Sequence, residues 1–500
     1  MPRLTRAPGG CAVLATALAV ASSLTACKRR HVSPASPVTS SSAHAGPSAT
    51  IAEEAAPRGP LRFLVVGGGA TPESTEVSLE QDVELVSKTL PGPGAVLFAG
   101  GTRSKSVREL DPSPRGDPVL AEVGDLFAPR PGRTSRYRSP KLEAGRATLD
   151  AVEVRLREEF AGGEGPFLLY VAAHGDQGST AKENSIALWG GRSLTVARLA
   201  ELADLSVRPF RLVATSCYSG GFAELAFNHA DEKQGPSGRK RCGLFAGTAD
   251  RQTSGCDANP DRRAQESYGL HFIHALSRTD RAGRPLEPGD VDFDHDGAVG
   301  LLDAHTRATI AAVSLDVPTT TSERWLRSVE KTSAPPDVAL LPEAAAVVER
   351  LGAALGLRDE AAVEKRWAEL EAELDDLSDD LDHANDDVDD ASAELSAALL
   401  ENWPVLDDPY HPAFSSTFAE NHGAIAKMLD HSAEAERLAA ARKVADAADD
   451  AMGEKEVLEA RLLRLKRAWE TLHLGSALLH ESGPAKERFA ELLACERGAP

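Results

Sequence analysis

Cysteines and long apolar runs are scarce in this chain of 500 residues, and its 55 lysines and arginines are outnumbered by 76 acidic residues. The formal net charge is -21 at pH 7, which argues against nucleic acid as a main partner because phosphate binding requires clustered lysine and arginine. There are six cysteines, and two of them, Cys11 and Cys27, lie near the amino terminus. No segment after the amino-terminal region is apolar enough to predict a transmembrane helix. We therefore expect an acidic protein whose main body stays outside the lipid bilayer.

The amino terminus has the pattern of an export signal. Arg3 and Arg6 precede an apolar run over residues 11–24, and small residues lead up to Cys27. The segment resembles a bacterial lipoprotein signal, which implies lipid attachment at Cys27, and Lys28 after it is similar to the outer-membrane sorting class. We therefore expect an exported bacterial lipoprotein, in the periplasm or on the cell surface and anchored in the outer membrane. A plain secretory signal or a short membrane anchor is the alternative.

Composition divides the chain into four parts. The signal peptide and lipobox occupy residues 1–27, and residues 28–60 are rich in serine, proline and alanine, which predicts a disordered linker. Residues 61–330 contain buried-strand and helix patterns, whereas residues 336–500 are dominated by alanine, leucine and acidic residues. The sequence therefore predicts an α/β domain followed by an all-α domain.

Two short apolar runs end in chemically reactive residues. The run 167–173 is followed by His174, and the run 210–214 is followed closely by Cys217. Each run has the composition of a buried strand, and the amphipathic stretch 196–205 between them fits a crossover helix. Because such a crossover joins parallel strands, His174 and Cys217 are expected at the same carboxyl edge of the sheet.

A cysteine beside a histidine at a sheet edge suits nucleophilic catalysis. The thiolate is the attacking form, and a nearby imidazole with backbone N–H groups favours it. Gly175 allows backbone to approach His174 closely, and Gly220 and Gly221 permit a tight turn after Cys217. The alternative is a small core cysteine and a histidine that merely ends a strand.

At these residues, His174-Gly175 and the stretch 216–220 (Ser-Cys-Tyr-Ser-Gly), the chain resembles cysteine peptidases of the caspase and hemoglobinase fold, in particular bacterial legumain-like members. The resemblance covers about residues 61–315 and implies a three-layer, mostly parallel sheet flanked by helices. It also implies an endopeptidase that acts on a protein or peptide substrate and needs no cofactor for catalysis. By this resemblance Cys217 attacks the peptide carbonyl, His174 protonates the leaving amine, and the backbone N–H groups of Gly175 and Cys217 form the oxyanion hole.

The chain departs from that family at two positions. Metacaspases and legumains place an acidic residue two positions before the nucleophile, where this chain has Thr215. Legumains also use an asparagine from the first strand-to-helix loop, but residues 73–76 contain none. The sequence therefore leaves both the residue preferred before the cleaved bond and a third catalytic residue unassigned.

Two other cysteines bracket the predicted strand 243–247. Cys242 and Cys256 are a candidate disulfide in an exported chain, although two unpaired thiols fit the sequence equally well. In either case Cys217 is expected to be free for catalysis, with Cys495 as a further unpaired thiol near the carboxyl end.

The segment 292–303 matches an EF-hand calcium loop at positions one, three, five, six and twelve. A structural Ca²⁺ is the expected ligand, with an acidic turn as the alternative. The predicted ligands are the side chains of four aspartates and one backbone carbonyl: Asp292, Asp294, Asp296, Asp303 and Ala298.

The stretch between Phe222 and Arg241 is polar, contains glycine and ends in a basic cluster. These features predict an exposed loop. Because caspases carry a processing loop after the nucleophile, we also expect cleavage within residues 222–241 during maturation.

The carboxyl-terminal part carries a long heptad seam, in which apolar residues alternate steps of four and three from Val363 to Ala398. Helical spacing resumes at residues 425–472, so a helical hairpin is expected, with a dimeric coiled coil as the alternative. In the hairpin, four basic residues should lie near the acidic stretch 369–382: Arg461, Arg464, Lys466 and Arg467. Residues 363–472 could therefore bind a protein partner or self-associate, and the second functional class is a catalytically degenerate scaffold that binds an envelope partner through this arm.

Overall fold

A computed structural model describes residues 61–111, 116–129, 134–330 and 332–500. The predicted leader, its lipidation site Cys27 and the linker lie outside these residues. The strands are β1 Phe63–Gly68, β2 Gly94–Phe98, β3 Val107–Leu110, β4 Ser135–Arg138, β5 Phe167–Ala173, β6 Gly175–Asp176, β7 Ser185–Ala187, β8 Ser193–Thr195, β9 Phe210–Ala214, β10 Arg241–Phe245 and β11 Thr319–Thr320.

The longer helices begin with those that flank the sheet and end with those of the carboxyl-terminal part. They are α1 Val77–Thr89, α2 Pro118–Phe127, α3 Leu149–Ala161, α4 Val196–Asp204, α5 Tyr268–Leu276, α6 Leu301–Ala311, α7 Thr321–Val329, α8 Pro342–Leu355, α9 Glu360–Asn402, α10 Phe414–His431, α11 Ala433–His480 and α12 Pro484–Arg497.

The main sheet has six strands in the order β2-β1-β5-β9-β10-β11, and only β11 is antiparallel to its neighbour. Strands β5 and β9 are adjacent and parallel, with Val171 opposite Ala214. Helix α4 lies between them in sequence, so the predicted β-α-β unit is confirmed. The carboxyl ends of β1, β5 and β9 consequently meet along one edge of the sheet.

Alternating side chains of the strands pack against helices on both faces of the sheet. On one face Leu169 and Leu212 share a core with α3 and α4, and on the other Tyr170 and Val213 share a core with α1, α5, α6 and α7. The protein is therefore a three-layer α/β structure with a mostly parallel sheet, followed by a long helical region.

Helices α9 and α11 pack as an antiparallel hairpin within one chain. Ion pairs join Glu364 to Lys466 and Glu373 to Lys455. The residue number increases along α9 while that of its partner decreases along α11, so the two helices run in opposite directions. The predicted seam faces inward, because Leu370 and Leu395 are buried between the helices. We call α9, α10 and α11 the helical arm.

The expected charge pairing within the hairpin is wrong in detail. Lys466 pairs with Glu364, outside the stretch 369–382, and Arg461 forms no salt bridge among the described residues. Arg467 pairs with Glu323 of α7. Arg464 is 2% exposed and donates to the backbone carbonyls of a turn over residues 309–316. Arg464 and Arg467 therefore stabilise the contact between the arm and the α/β part of the chain. This contact buries carbonyl oxygens, which need hydrogen-bond donors.

The candidate Cys242–Cys256 disulfide is also wrong, and so is the expectation that Cys495 is an unpaired thiol. Cys242 on β10 is bonded to Cys495 on α12, with a Cα–Cα distance of 6.1 Å, while Cys217 and Cys256 are not disulfide-bonded. The bridge forms because Phe489 and Leu492 of α12 pack in the same core as the sheet and bring Cys495 beside β10. The described residues on both sides of position 330 therefore share one core.

Only part of the stretch between Phe222 and Arg241 is an exposed loop. Phe222 is buried in a short 3₁₀ helix, and Arg241 is 1% exposed, donating to the carbonyls of Leu225 and Phe227. Arg239 and Lys240 remain exposed. The basic cluster is thus shorter than expected because Arg241 satisfies backbone oxygens inside the fold.

Of the helices described, none combines the length and apolarity needed to cross a membrane.

Candidate active site

His174 and Cys217 come from neighbouring strands, as predicted. His174 directly follows β5, and Cys217 lies three residues after the end of β9. The backbone N–H of Thr215 still bonds to Val171, so the two strands remain paired up to the turn that carries Cys217. Both residues therefore lie at the carboxyl edge of the sheet.

Gly175 brings the two turns together. A Cβ atom at this position would collide with the carbonyl oxygen of Cys217, so only glycine allows the backbones to approach this closely. Gly220 has a similar role, since its Cβ would lie 2.6 Å from the carbonyl oxygen of Gly247. These glycines are required for close packing at the site.

Glu76 is a site residue that sequence reasoning missed. It lies at the amino-terminal cap of α1, in the loop after β1, and its Oε2 is 2.9 Å from Nε2 of His174. Three adjacent strands, β1, β5 and β9, thus supply Glu76, His174 and Cys217. The sequence carries a signal for this residue, because residues 73–76 belong to the first strand-to-helix loop, and an acid in that loop can face a histidine on the adjacent strand.

The environment keeps Glu76 ionised. Burial alone would raise its pKa, but hydrogen bonds and charge from His174 and Arg108 outweigh burial and lower the pKa below its ordinary value. The Arg108 contact measures 2.7 Å. Since a carboxylate only accepts, the proton on Nε2 of His174 lies between the two groups, and Nδ1 faces Cys256 on the other side of the ring.

The Cys217 sulfur is enclosed by Thr253. The backbone N–H of Thr253 points at Sγ from 3.3 Å, and its Oγ1 lies 3.7 Å away. Cys217 is only 8% exposed. The carbonyl oxygen of Thr253 lies 3.7 Å from the same sulfur, so the main chain of Thr253 offers Sγ both a donor and an acceptor.

A second cysteine outside the disulfide faces the histidine. Cys256 Sγ lies 3.6 Å from Nδ1 of His174 and is half-buried. It belongs to the segment 251–258, which we call the covering segment because its residues contact both Cys217 and His174. In this structure the covering segment lies over Cys217 Sγ and limits its contact with solvent.

The covering segment is fastened at several points. Ser78 at the start of α1 exchanges hydrogen bonds with Gly255 and Asp257. The N–H of Ser254 bonds to the buried carboxylate of Asp316, in the same turn whose carbonyls receive Arg464 of the arm. The segment is therefore connected to the arm through the 309–316 turn.

Arg251 supplies a direct ionic contact between the segment and the arm. It pairs with Glu459 of α11 at 2.5 Å. Its carbonyl accepts from the N–H of Tyr218, the residue after Cys217. The arm is thus two contacts away from the nucleophile.

Thr215 offers no charge to a substrate. Its Oγ1 donates to the carbonyl of Val171, and its methyl group faces Gly269. The nearest carboxylate beside Gly269 belongs to Asp82, which is paired with Arg262. The acid that the resemblance would place two residues before the nucleophile has no substitute at that position.

Comparisons with known proteins add no family assignment. A scan against protein-family models gives no match for this chain, and a search of curated proteins gives none either. Function is therefore inferred from the chemistry of the site.

Three of the predicted calcium ligands converge. Carboxylate oxygens of Asp292, Asp294 and Asp296 lie within 4.8 Å of one another. Asp292 Oδ2 accepts from the N–H of Gly297, whose φ of +86° explains the glycine at the turn. Asp292 Oδ1 is buried without a hydrogen-bond partner. This oxygen and its two neighbours fit a hard cation such as Ca²⁺.

The last predicted ligand has another role. Asp303 accepts N–H groups from Phe293 at 2.8 Å and Gly300 at 2.9 Å, so its carboxylate closes the loop and caps α6. Burial raises its pKa to about 6. Asp303 does not belong to the converging group, and Ala298, whose carbonyl was predicted as a ligand, is exposed in the loop.

Proposed function

We propose that this protein is a cysteine endopeptidase with a caspase- or legumain-like fold, tethered to a membrane through lipidated Cys27. The observation that carries the proposal is the hydrogen bond between Glu76 and His174. It lies at the same edge of the sheet as Cys217. A histidine held by a carboxylate, with a cysteine at the same sheet edge on the adjacent strand, is the arrangement that an activated nucleophile requires.

The proposed reaction begins with attack of the Cys217 thiolate on the carbonyl carbon of the cleaved peptide bond. Backbone N–H groups of Gly175 and Cys217 stabilise the tetrahedral oxyanion. His174 donates a proton to the leaving amine, and the C–N bond breaks to give a thioester. Water, deprotonated by the same histidine, then hydrolyses the thioester and regenerates the thiolate.

Glu76 acts as the positioning residue in this scheme. It holds the proton on Nε2, so Nδ1 is the nitrogen that exchanges protons with the reacting groups. It also stabilises the imidazolium that forms when His174 takes up a proton. A glutamate in the first strand-to-helix loop would therefore serve where legumains use an asparagine.

A structural calcium ion is part of the same proposal. Asp292, Asp294 and Asp296 would hold it, with the carbonyl of Ala298, while Asp303 closes the loop through its hydrogen bonds. The loop packs beside α12, because Arg497 lies 3.9 Å from Asp294. The ion would brace the junction between the sheet and the carboxyl-terminal helix.

The burial of Cys217 favours a second candidate, a catalytically degenerate scaffold that binds an envelope partner through the helical arm. A sulfur enclosed by Thr253 and a segment fastened at several points would suit a fold that has lost its reaction. In the peptidase account the same burial describes a closed form that opens when the covering segment moves.

The test is cleavage of a peptide library with calcium present. Wild type is expected to cleave at defined bonds, and Cys217→Ala is expected to lose all cleavage. Cys256→Ala is the matched control, because it removes the other thiol beside His174 and should still cleave. No cleavage by wild type under reducing and non-reducing conditions, or equal loss in both variants, would reject the peptidase in favour of the scaffold.

Attachment of the chain is tested separately. Cells expressing the full chain are expected to incorporate labelled fatty acid, and Cys27→Ala is expected to prevent this and release the protein from the membrane fraction. Unchanged membrane association of Cys27→Ala would contradict the lipid tether.

A further inference from the structure

The three side chains Glu76, His174 and Cys256 form a cluster that the proposed reaction does not use as a set. One ligand atom from each lies within 4.8 Å of the others. A thiolate and an imidazole together are ligands typical of zinc. Cys256 has no part in the proposed reaction.

We propose that His174 Nδ1 and Cys256 Sγ bind Zn²⁺ at the mouth of the site. In tetrahedral zinc, Zn–N bonds of about 2.0–2.1 Å and a Zn–S bond of about 2.3 Å place the two donor atoms about 3.6 Å apart. The observed separation of Nδ1 and Sγ is 3.6 Å. The pair therefore already has the spacing of two zinc ligands.

Glu76 prepares the ring for this role. Its contact with Nε2 fixes the proton there and presents the lone pair of Nδ1 toward Cys256. Metal-binding histidines commonly donate their other N–H to a carboxylate in this way. Glu76 contacts Nε2, the ring nitrogen that does not bind the ion. It therefore orients His174 and is not itself a zinc ligand.

Binding exchanges one proton for the metal. Cys256 loses its thiol proton to solvent as the S–Zn bond forms, and no oxidant or reductant is needed. Water molecules complete the coordination, which is allowed because both His174 and Cys256 are partly exposed. Affinity should therefore increase with pH.

The consequence for activity rests on the proposed function. Zinc on Nδ1 occupies the nitrogen that must exchange protons with the substrate, so it would inhibit peptide cleavage reversibly. Metal binding itself is independent of cleavage, which allows the two proposals to fail separately.

The experiment titrates the full chain with Zn²⁺ against a chromophoric chelator, and with Co²⁺ to detect thiolate-to-metal charge-transfer absorption. Excess Ca²⁺ is present to occupy the aspartate loop. Wild type is expected to bind one equivalent and to show the charge-transfer band. Cys256→Ala should lose the band and at least about 10–100-fold in affinity, and Glu76→Gln should lose a similar factor with the band retained.

Cys217→Ala is the matched control, because it removes the neighbouring thiol but keeps both proposed zinc ligands. Its zinc affinity should be within about threefold of the wild-type value. Cys256→Ser preserves size, and its thermal unfolding shows whether the fold is intact. Equal zinc affinity in wild type and Cys256→Ala would overturn the inference, as would loss of binding in Cys217→Ala alone. Zinc binding by a protein that cleaves no peptide when zinc has been removed by a chelator would reject the proposed function and leave the metal site standing.

Discussion

Glu76 changes what His174 can do. Without Glu76, His174 is a side chain after the end of β5 whose neutral ring can carry its proton on either Nδ1 or Nε2. With a buried carboxylate 2.9 Å from Nε2, the ring has one preferred orientation and one preferred tautomer. Sequence reasoning found His174 and Cys217 because each follows an apolar strand, but the contact with Glu76 depends on how α1 is placed against β5.

Glu76→Gln is expected to lower kcat for peptide cleavage by at least about 100-fold, because the neutral amide fixes the imidazole less well and does not stabilise its charge. KM should change little, since Glu76 does not contact the substrate. Steady-state kinetics of the variant provide the measurement. Glu73→Gln, an exposed acid of the same loop, is the matched control and should behave as wild type; similar kcat in both variants would contradict a positioning role.

Glu456 of the arm gives a prediction about pH. Burial, with repulsion from Glu459 and Asp449, raises its pKa to about 7. Because the folded state holds this proton more tightly than the unfolded state, its contribution to stability is complete below the unfolded pKa of about 4.5 and is lost as pH rises through 7.

The free energy of unfolding should therefore fall by up to about 3 kcal/mol between pH 5 and pH 8 from this group. Glu456→Gln, a neutral residue of similar shape, should remove that part of the decline. Asp303 and Glu496, whose pKa values are raised to about 6 and about 8 by burial, contribute in the same direction and remain in the variant. Urea unfolding at both pH values is the measurement, and an unchanged difference would show that Glu456 is not responsible.

At the scale of elements, the unit β5-α4-β9 could be read from sequence almost to the residue. Both strands have the predicted bounds, and α4 ends one residue earlier than expected. Local patterns sufficed because each strand is buried and each face of the unit packs on helices. The covering segment could not be predicted in the same way, since its position depends on contacts with α1, the 309–316 turn and α11.

The contact between the covering segment and the arm makes a testable prediction about access to Cys217. Glu459→Gln removes the charge that holds Arg251, so the segment should open more often and Cys217 should react faster with iodoacetamide. We expect a rise of about 3–10-fold, which corresponds to about 1 kcal/mol in the opening equilibrium. Glu454→Gln, an exposed acid on the same helix, is the control, and equal rates in both variants would show that the arm does not restrain the segment.

The calcium loop is the second element with a measurable consequence. Ca²⁺ should raise the unfolding temperature, because an ion that binds only the folded state stabilises it by about 2.7 kcal/mol at 100 times its Kd. Asp294→Asn combined with Asp296→Asn should abolish the rise. Differential scanning calorimetry with Mg²⁺ as the ion control provides the test, and a calcium effect that survives in the double variant would place the ion elsewhere.

At the scale of the whole molecule, the carboxyl-terminal helices are part of the sheet's packing. Composition suggested two separate parts because the residue types change near 336, but composition does not report which surfaces meet. Helix α12 joins the core through Phe489 and the disulfide Cys242–Cys495. The bridge was missed because its cysteines are 253 positions apart in sequence, and only tertiary packing brings them together.

Removing that bridge should weaken the entire fold. Cys242→Ala combined with Cys495→Ala is expected to lower the free energy of unfolding by about 3–5 kcal/mol, because the crosslink closes a very long loop in the unfolded chain. Guanidinium unfolding measures the loss. Cys256→Ala, which removes a thiol outside the disulfide, should cost far less, and a similar loss from both would show that the bridge adds nothing beyond side-chain packing.

The central claim is that Cys217 is a nucleophile activated by His174. The most direct measurement is covalent labelling with a peptide that carries an electrophilic carbonyl group, followed by mass spectrometry of the labelled peptide. We expect one adduct per chain, on Cys217. This adduct should be lost in His174→Ala and retained in Cys256→Ala. Labelling confined to Cys256, or no adduct on the wild-type protein with calcium present, would contradict it.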